Sequence, residues 1–144
     1  MRTIQAKVIV PGEAKGTAIV SQMPLSFWGG VEPHSGEVID VHHDLSGQVI
    51  SGKVLLIPEG RGSCSGSGIM LEMIRLRTCP AALVMEEAEP IISLGSVMGY
   101  ELYHYGVPIY TVSKAEYESI STGDTITAGR DGTLSVEAMF SGEV

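Results

Sequence analysis

Residues 53–74 read K-V-L-L-I-P-E-G-R-G-S-C-S-G-S-G-I-M-L-E-M-I, and the fold turns on how they are parsed. Lys53 to Ile57 is a short apolar run ended by Pro58, consistent with a buried strand. Ile69, Met70, Met73 and Ile74 recur at helical spacing, with Glu72 and Arg75 on the other side. Between them, Glu59 to Gly68 is a Gly/Ser segment. The unit is therefore strand, Gly/Ser loop, helix. Toward the C-terminus, Ala81 to Met85 predicts a second buried strand, Leu94 to Tyr105 a helix closed by Gly106-Val107-Pro108, and Ile109 to Val112 a further strand. Lys114 to Glu118 fits one helical turn, and Asp124 to Ala128 with Thr133 to Ala138 alternate around Asp131-Gly132 as a hairpin. Toward the N-terminus, Ile4 to Val10 is β-rich and stops at Pro11-Gly12. Thr17 to Val20 is a second strand, expected to pair with the first as a hairpin.

Residues 24–52 break this rhythm. They hold Pro24, Phe27, Trp28, Gly29, Gly30, Pro33, Gly36, His42, His43, Gly47 and Gly52, with Val38 to Val41 as a short strand at most. A loop of this length in a compact domain is usually functional, and its aromatic and apolar residues argue for order. Phe27-Trp28 is expected either to plug one end of the core or to face a partner or cleft rim. The predicted fold class is α/β: one compact domain over 1–144, a central strand–loop–helix unit flanked by antiparallel β structure.

Composition narrows the function. Of 144 residues 44% are apolar and 18% charged, enough for a core and too little charge for a disordered chain. The net charge of −8 argues against nucleic acid and anionic membrane as partners. No apolar run approaches the length of a membrane span, and Val8-Ile9-Val10 is too short for a signal peptide. Two cysteines, Cys64 and Cys79, build no disulfide framework, so a reducing cytoplasm is the expected compartment.

The Gly60–Gly68 loop carries the sharpest chemistry. A loop between a strand's carboxyl end and a helix N-terminus presents unpaired N–H groups, and the helix dipole there favours negative charge. It lacks the Gly-Lys-Ser/Thr of a P-loop and does not fit G-x-S-x-G. The residues leave two readings: an anion or oxyanion site, or a turn in which Ser63 or Ser65 caps the helix. Arg61, the loop's one cation, is either a partner for a substrate carboxylate or a solvated side chain. Cys64 has no base close in sequence and reads first as a packing cysteine. The histidines, His34, His42, His43 and His104, do not have metal-site spacing.

Three blocks together resemble the aconitase X family, specifically its small subunit or swivel domain. They are Pro24-Leu25-Ser26-Phe27-Trp28-Gly29-Gly30-Val31, the His43–Pro58 stretch HDLSGQVISGKVLLIP, and the loop GRGSCSGS at 60–67. Glu89-Pro90-Ile91-Ile92-Ser93-Leu94-Gly95 adds a fourth. The resemblance implies a swivelling β/β/α domain packed on a large catalytic subunit, with the active site between them. It implies an iron or iron–sulfur centre held by the large subunit and none bound by this chain. The family's proton-abstracting serine falls on Ser63, and Arg61, Gly62, Cys64 and Ser65 are expected to bind substrate around it. Arg61's role is inferred from guanidinium chemistry, not from the family motif. The substrate is then a small hydroxy acid. In the archaeal type, which dehydrates mevalonate 5-phosphate, the loop reads closer to G-K-G-S-T-V-G-S. The Arg61, Cys64 and Ser65 of this chain lean toward dehydration of cis-3-hydroxy-L-proline to Δ1-pyrroline-2-carboxylate. A phosphomevalonate dehydratase small subunit is the alternative within the family, and a non-catalytic binding or scaffold domain is the alternative outside it.

Overall fold

The structure is a computed structural model that describes residues 2–59, 64–87 and 90–138. In chain order its elements are β1 (Arg2–Gln5), β2 (Lys7–Val10), β3 (Ala14–Val20), α1 (Phe27–Gly30), β4 (Val31–Glu32), β5 (Glu37–Val38) and β6 (Val54–Leu56). They continue as α2 (Cys64–Leu76), β7 (Ala82–Met85), α3 (Pro90–Tyr103), β8 (Ile109–Thr111), α4 (Lys114–Glu118), β9 (Thr125–Ala128) and β10 (Thr133–Glu137).

Eight strands make one curled sheet in the order β1-β10-β9-β3-β6-β7-β8-β2. Its first and last strands, β1 and β2, are separated only by Ala6, whose N–H donates to Gly132 O at 2.8 Å. One continuous run of chain thus serves both free edges, and the sheet becomes barrel-like. This corrects the expected pairing of the first two strands. β1 pairs antiparallel with β10, β2 with β8, and β3 lies antiparallel to β9 and parallel to β6. The physical reason is the edge itself: a hairpin of the first two strands would leave the rows of N–H and C=O on β10 and β8 open.

Strands β3, β6, β7 and β8 are mutually parallel. Their side chains alternate between two cores. Ala18, Val54, Leu56, Ala82, Val84 and Tyr110 point into the barrel with Ile126, Leu134 and Val136. Ile19, Leu55, Ile57, Leu83, Met85 and Ile109 point the other way, onto Met70, Met73 and Ile74 of α2 and Ile92 of α3. The KVLLI run is apolar at both parities because both faces of β6 are covered. The layers are sheet, sheet and helices, the β/β/α arrangement that was expected.

Residues 24–52 are more structured than a loop. α1 precedes a small antiparallel pair, Val31 opposite Val38 and Glu32 opposite Glu37. Leu25, Phe27, Val31, Val38, Leu45 and Ile50 are buried in the helix-side core. Phe27 is fully buried and plugs the core, while the side chain of Trp28 lies outside what the structure describes. The strand ends at Val38, and Ile39 and Val41 are exposed.

Candidate active site

The carboxyl ends of the four parallel strands define one edge, and the backbone is stitched tightly there. Ser21 N–H donates to Leu56 O (2.9 Å), Ile57 N–H to Val84 O (3.2 Å), Val112 N–H to Met85 O (3.0 Å), and Glu86 N–H to Pro58 O (3.0 Å). The connections leaving β6 and β7 return as α2 and α3, so both helices begin at this edge. In open parallel sheets the crevice outside the carboxyl ends is where ligands bind.

The two helices approach closely. A Cβ at Gly95 of α3 would lie 2.7 Å from the Ser67 carbonyl oxygen and 3.0 Å from Met70 Cβ; at Gly99 it would lie 2.8 Å from Ile74 Cδ1. Only a residue without a side chain fits at Gly95 while α2 keeps its position. Neither helix carries an acidic residue in its first turn, so no carboxylate of theirs offsets the partial positive charge at these ends.

Of the residues singled out from sequence, Arg61, Gly62 and Ser63 lie outside the described residues. Cys64 and Ser65 are the first two residues of α2, where the backbone is described and their side chains are not. The helix therefore starts at Cys64, five residues before the apolar stripe that signalled it. Cys79 is buried next to Tyr105, and burial pushes its thiol up.

A polar network at the same edge was not legible from sequence. Ser21 is completely buried just past β3. Its Oγ lies 2.6 Å from Asp44 Oδ1 and accepts the Met23 N–H at 2.9 Å. Asp44 Oδ2 accepts the Gln22 N–H at 2.8 Å. The His43 side chain is 1% exposed, and its Nδ1 accepts the Leu45 N–H at 3.1 Å. With Nδ1 accepting that bond the ring proton is assigned to Nε2, 3.4 Å from Ser21 Oγ; Nδ1 also lies 3.2 Å from Asp44 Oδ1. Tyr117 O–H donates to Ser21 O at 2.6 Å from the far side. Burial raises the Tyr117 phenol well above its usual range, and the carboxylates of Glu86 and Asp44 add to this. The network ties residues 21–23, 43–45 and α4 together beside the exit of β6. The side chains that meet at Ser21 come from 22 to 96 residues away, so no local motif announces them. Among the described residues no three His, Cys, Asp or Glu side chains converge to hold a metal ion. No helix there is long and apolar enough to cross a membrane.

Fold and edge together define a swivel-type β/β/α domain, with the starts of two helices and the strand ends on one face. The profile of the aconitase X swivel domain matches residues 3–136. The chain is 40% identical over 138 residues to a cis-3-hydroxy-L-proline dehydratase of Hypocrea jecorina, covering 93% of this chain and 23% of that protein. It is 37% identical over 135 residues to a phosphomevalonate dehydratase small subunit of Thermococcus sibiricus, covering 93% of this chain and 98% of that one. The crystal structure of Thermococcus kodakaraensis aconitase X in its holo-form superposes with a TM-score of 0.85 at 32% identity, over 96% of this chain and all of the matched chain. This chain belongs to the aconitase X swivel domain family.

Proposed function

We propose that this chain is the swivel subunit of an aconitase X-type dehydratase and that its Ser63 removes the proton in the dehydration. The carrying observation is that α2 begins at Cys64, on the carboxyl edge and against α3, with no acidic residue in its first turn. Ser63 directly precedes that helix in the sequence. A serine hydroxyl works as a base only as its alkoxide, and an alkoxide at a helix start is stabilised by unpaired N–H groups and the dipole. Arg61 adds positive charge and a planar fork suited to a substrate carboxylate. Gly62, Cys64 and Ser65 border the same position.

The substrate is cis-3-hydroxy-L-proline. Hydroxyl and carboxylate share one face of its ring, so the C2 hydrogen and the leaving hydroxyl are anti. Ser63 takes the C2 proton, the C2–H electron pair becomes the C2=C3 bond, and the C3–O bond breaks with its pair leaving on the hydroxyl, which takes up one proton from an acid on the opposite face to depart as water. The enamine that forms tautomerises to Δ1-pyrroline-2-carboxylate. Departure on the opposite face is assigned to a large partner subunit that holds the iron or iron–sulfur centre. The chain spans 23% of the Hypocrea jecorina protein, which leaves most of that protein's length for such a part. A second reading has its own support: the near end-to-end match to the Thermococcus sibiricus small subunit favours dehydration of mevalonate 5-phosphate by a two-chain enzyme.

Co-expression with an aconitase X large subunit, then dehydration assays on both substrates, tests the proposal. Turnover of cis-3-hydroxy-L-proline in the complex is expected. Turnover of mevalonate 5-phosphate alone moves the chain to the second reading, and turnover of neither by a stable complex overturns both.

A further inference from the structure

At the opposite edge of the sheet, where the parallel strands begin, the described residues form a groove of about 390 Å³. Its walls come from the Gly12-Glu13 turn before β3, the C-terminal end of α3 with Tyr100 and His104, Tyr105 just beyond it, and Arg130 in the β9–β10 turn. The volume is at the lower end of small-molecule pockets. The carboxyl-edge chemistry above uses none of these residues.

Three independent features give the groove a chemical preference. The first is charge. In a chain of net charge −8, Arg130 lines the groove and Arg77 stacks on Tyr105, its guanidinium carbon 3.8 Å from the ring centre. Among the described residues neither arginine forms an ion pair; the one arginine that does is Arg75, with Glu72. The carboxylate of Asp131, next to Arg130, accepts the Thr133 N–H at 3.0 Å, which favours its charged form, so Arg130 has an acid beside it in the chain. Glu13 is the one acid on the wall.

The second is backbone conformation. Among the described residues only Arg77 (φ 61°) and His104 (φ 55°) are left-handed without being glycine; the other positive-φ positions are all glycines. Both stand just past a helix. Arg77 and Thr78 donate to Ile74 O (3.2 Å) and Met73 O (2.9 Å), a Schellman ending, and His104 donates to Tyr100 O (3.1 Å), an αL ending. Glycine is the residue these endings favour, because a Cβ is strained there. This protein instead carries a guanidinium at one and an imidazole at the other; His104 lines the groove, and Arg77 stacks on Tyr105, which lines it. Strain kept at a polar side chain is a recognised mark of a functional position.

The third is hydrogen bonding. Tyr100 and Tyr105 both line the groove, and their phenols are donors at neutral pH; the Tyr105 hydroxyl also lies 4.0 Å from Cys79 Sγ. Tyr100 is fixed by two glycines: a Cβ at Gly12 would lie 2.7 Å from its hydroxyl, and one at Gly106 would lie 2.6 Å from its ring. Two phenols, an imidazole and a guanidinium fork form a donor-rich wall that can hold an oxyanion against the partial negative charge of the α3 C-terminal end.

We infer that this groove is a second ligand site, separate from the dehydration edge, for the phosphate or carboxylate end of a small anionic molecule. Arg130 and His104 contact the oxyanion, Tyr100 and Tyr105 donate to it, and Arg77 supports Tyr105.

The test is a titration of the isotope-labelled full chain with inorganic phosphate and, separately, with citrate. Backbone amide shifts are followed by NMR, with ionic strength held constant by chloride. Saturable shifts at Gly12, Tyr105, Gly106 and Arg130 are expected, and the probe that saturates at lower concentration identifies the favoured group. Equal saturation by both supports a general oxyanion site. Arg130→Gln should weaken binding at least tenfold with an unchanged melting temperature. His104→Gly should weaken binding and at the same time raise the melting temperature, because it removes the left-handed strain. A purely structural histidine would not produce that opposition. Shifts that do not saturate, shifts that persist at wild-type affinity in both variants, or a lower melting temperature for His104→Gly would overturn the inference.

Discussion

Replacing Gly95 with Ala tests whether α2 and α3 are as close as their sequence contacts demand. The added Cβ would sit 2.7 Å from the Ser67 carbonyl oxygen, against an ordinary contact of 3.4 Å or more, so the helices must separate locally by about 0.7 Å. The obstructing atom is backbone and cannot rotate away. Overpacking of this kind costs about 2–3 kcal/mol, and the gain in helix propensity from Gly to Ala offsets about 1 kcal/mol. The net loss is about 1–2 kcal/mol, which for a chain of this size lowers Tm by roughly 3–10 °C. Gly68→Ala is the matched control. It makes the same chemical change on α2, but its Cβ meets nothing within 4 Å, so the propensity term stands alone. It should raise stability by about 0.5–1 kcal/mol. Both melts are read by circular dichroism. If Ser63 is the base proposed above, Gly95→Ala should also lower kcat/KM of the assembled dehydratase by about 10–100-fold, because it shifts the start of the helix that follows Ser63 in the sequence. A Gly95→Ala melting temperature equal to or above that of Gly68→Ala would refute the close packing and the helix placement built on it.

Two further outcomes follow from the polar groups. Burial pushes the Tyr110 phenol up to about 12, and the Tyr117 phenol is raised as well. The folded state therefore holds protons that the unfolded chain gives up near pH 10, so stability is intact below pH 10 and falls as pH rises from 10 toward 12. A pH series of urea midpoints should show this fall, and Tyr110→Phe should flatten it. Asp44→Ala removes the acceptors of the Ser21 hydroxyl and the Gln22 N–H and should cost about 1–3 kcal/mol, read as a lower urea midpoint at unchanged slope.

Local signals carried much of the fold. The KVLLI run, the helical stripe at Ile69 to Ile74 and the Asp131-Gly132 turn each specify their element within a few residues. Barrel closure was not legible, because it depends on Ala6 dividing one β-rich run between partners more than 100 residues apart in sequence, Ile4 with Leu134 and Lys7 with Thr111. The start of α2 at Cys64 was obscured by glycine and serine, which form helix poorly on their own and are held here by packing against α3. At the candidate site, the Gly/Ser loop stood out because its composition is extreme. The Ser21–Asp44–His43–Tyr117 network did not, since ordinary residues from three separate segments meet only after folding. For Phe27 the sequence left a core plug and a partner-facing position open, because an aromatic in a Gly- and Pro-rich stretch fits either; folding buries it in the core.

The central claim is that Ser63 is the proton-abstracting base, and Ser63→Ala in the assembled enzyme tests it most directly, with kcat and Tm measured on the same preparation. General base catalysis contributes about 10²–10⁴-fold, so kcat should fall by at least 10² at unchanged Tm and unchanged subunit assembly. A helix-capping serine would instead cost about 0.5–2 kcal/mol of stability and leave turnover per folded molecule nearly intact. An early-melting Ser63→Ala enzyme that keeps its kcat would contradict the account and move the base elsewhere, with Ser65 the next residue to test.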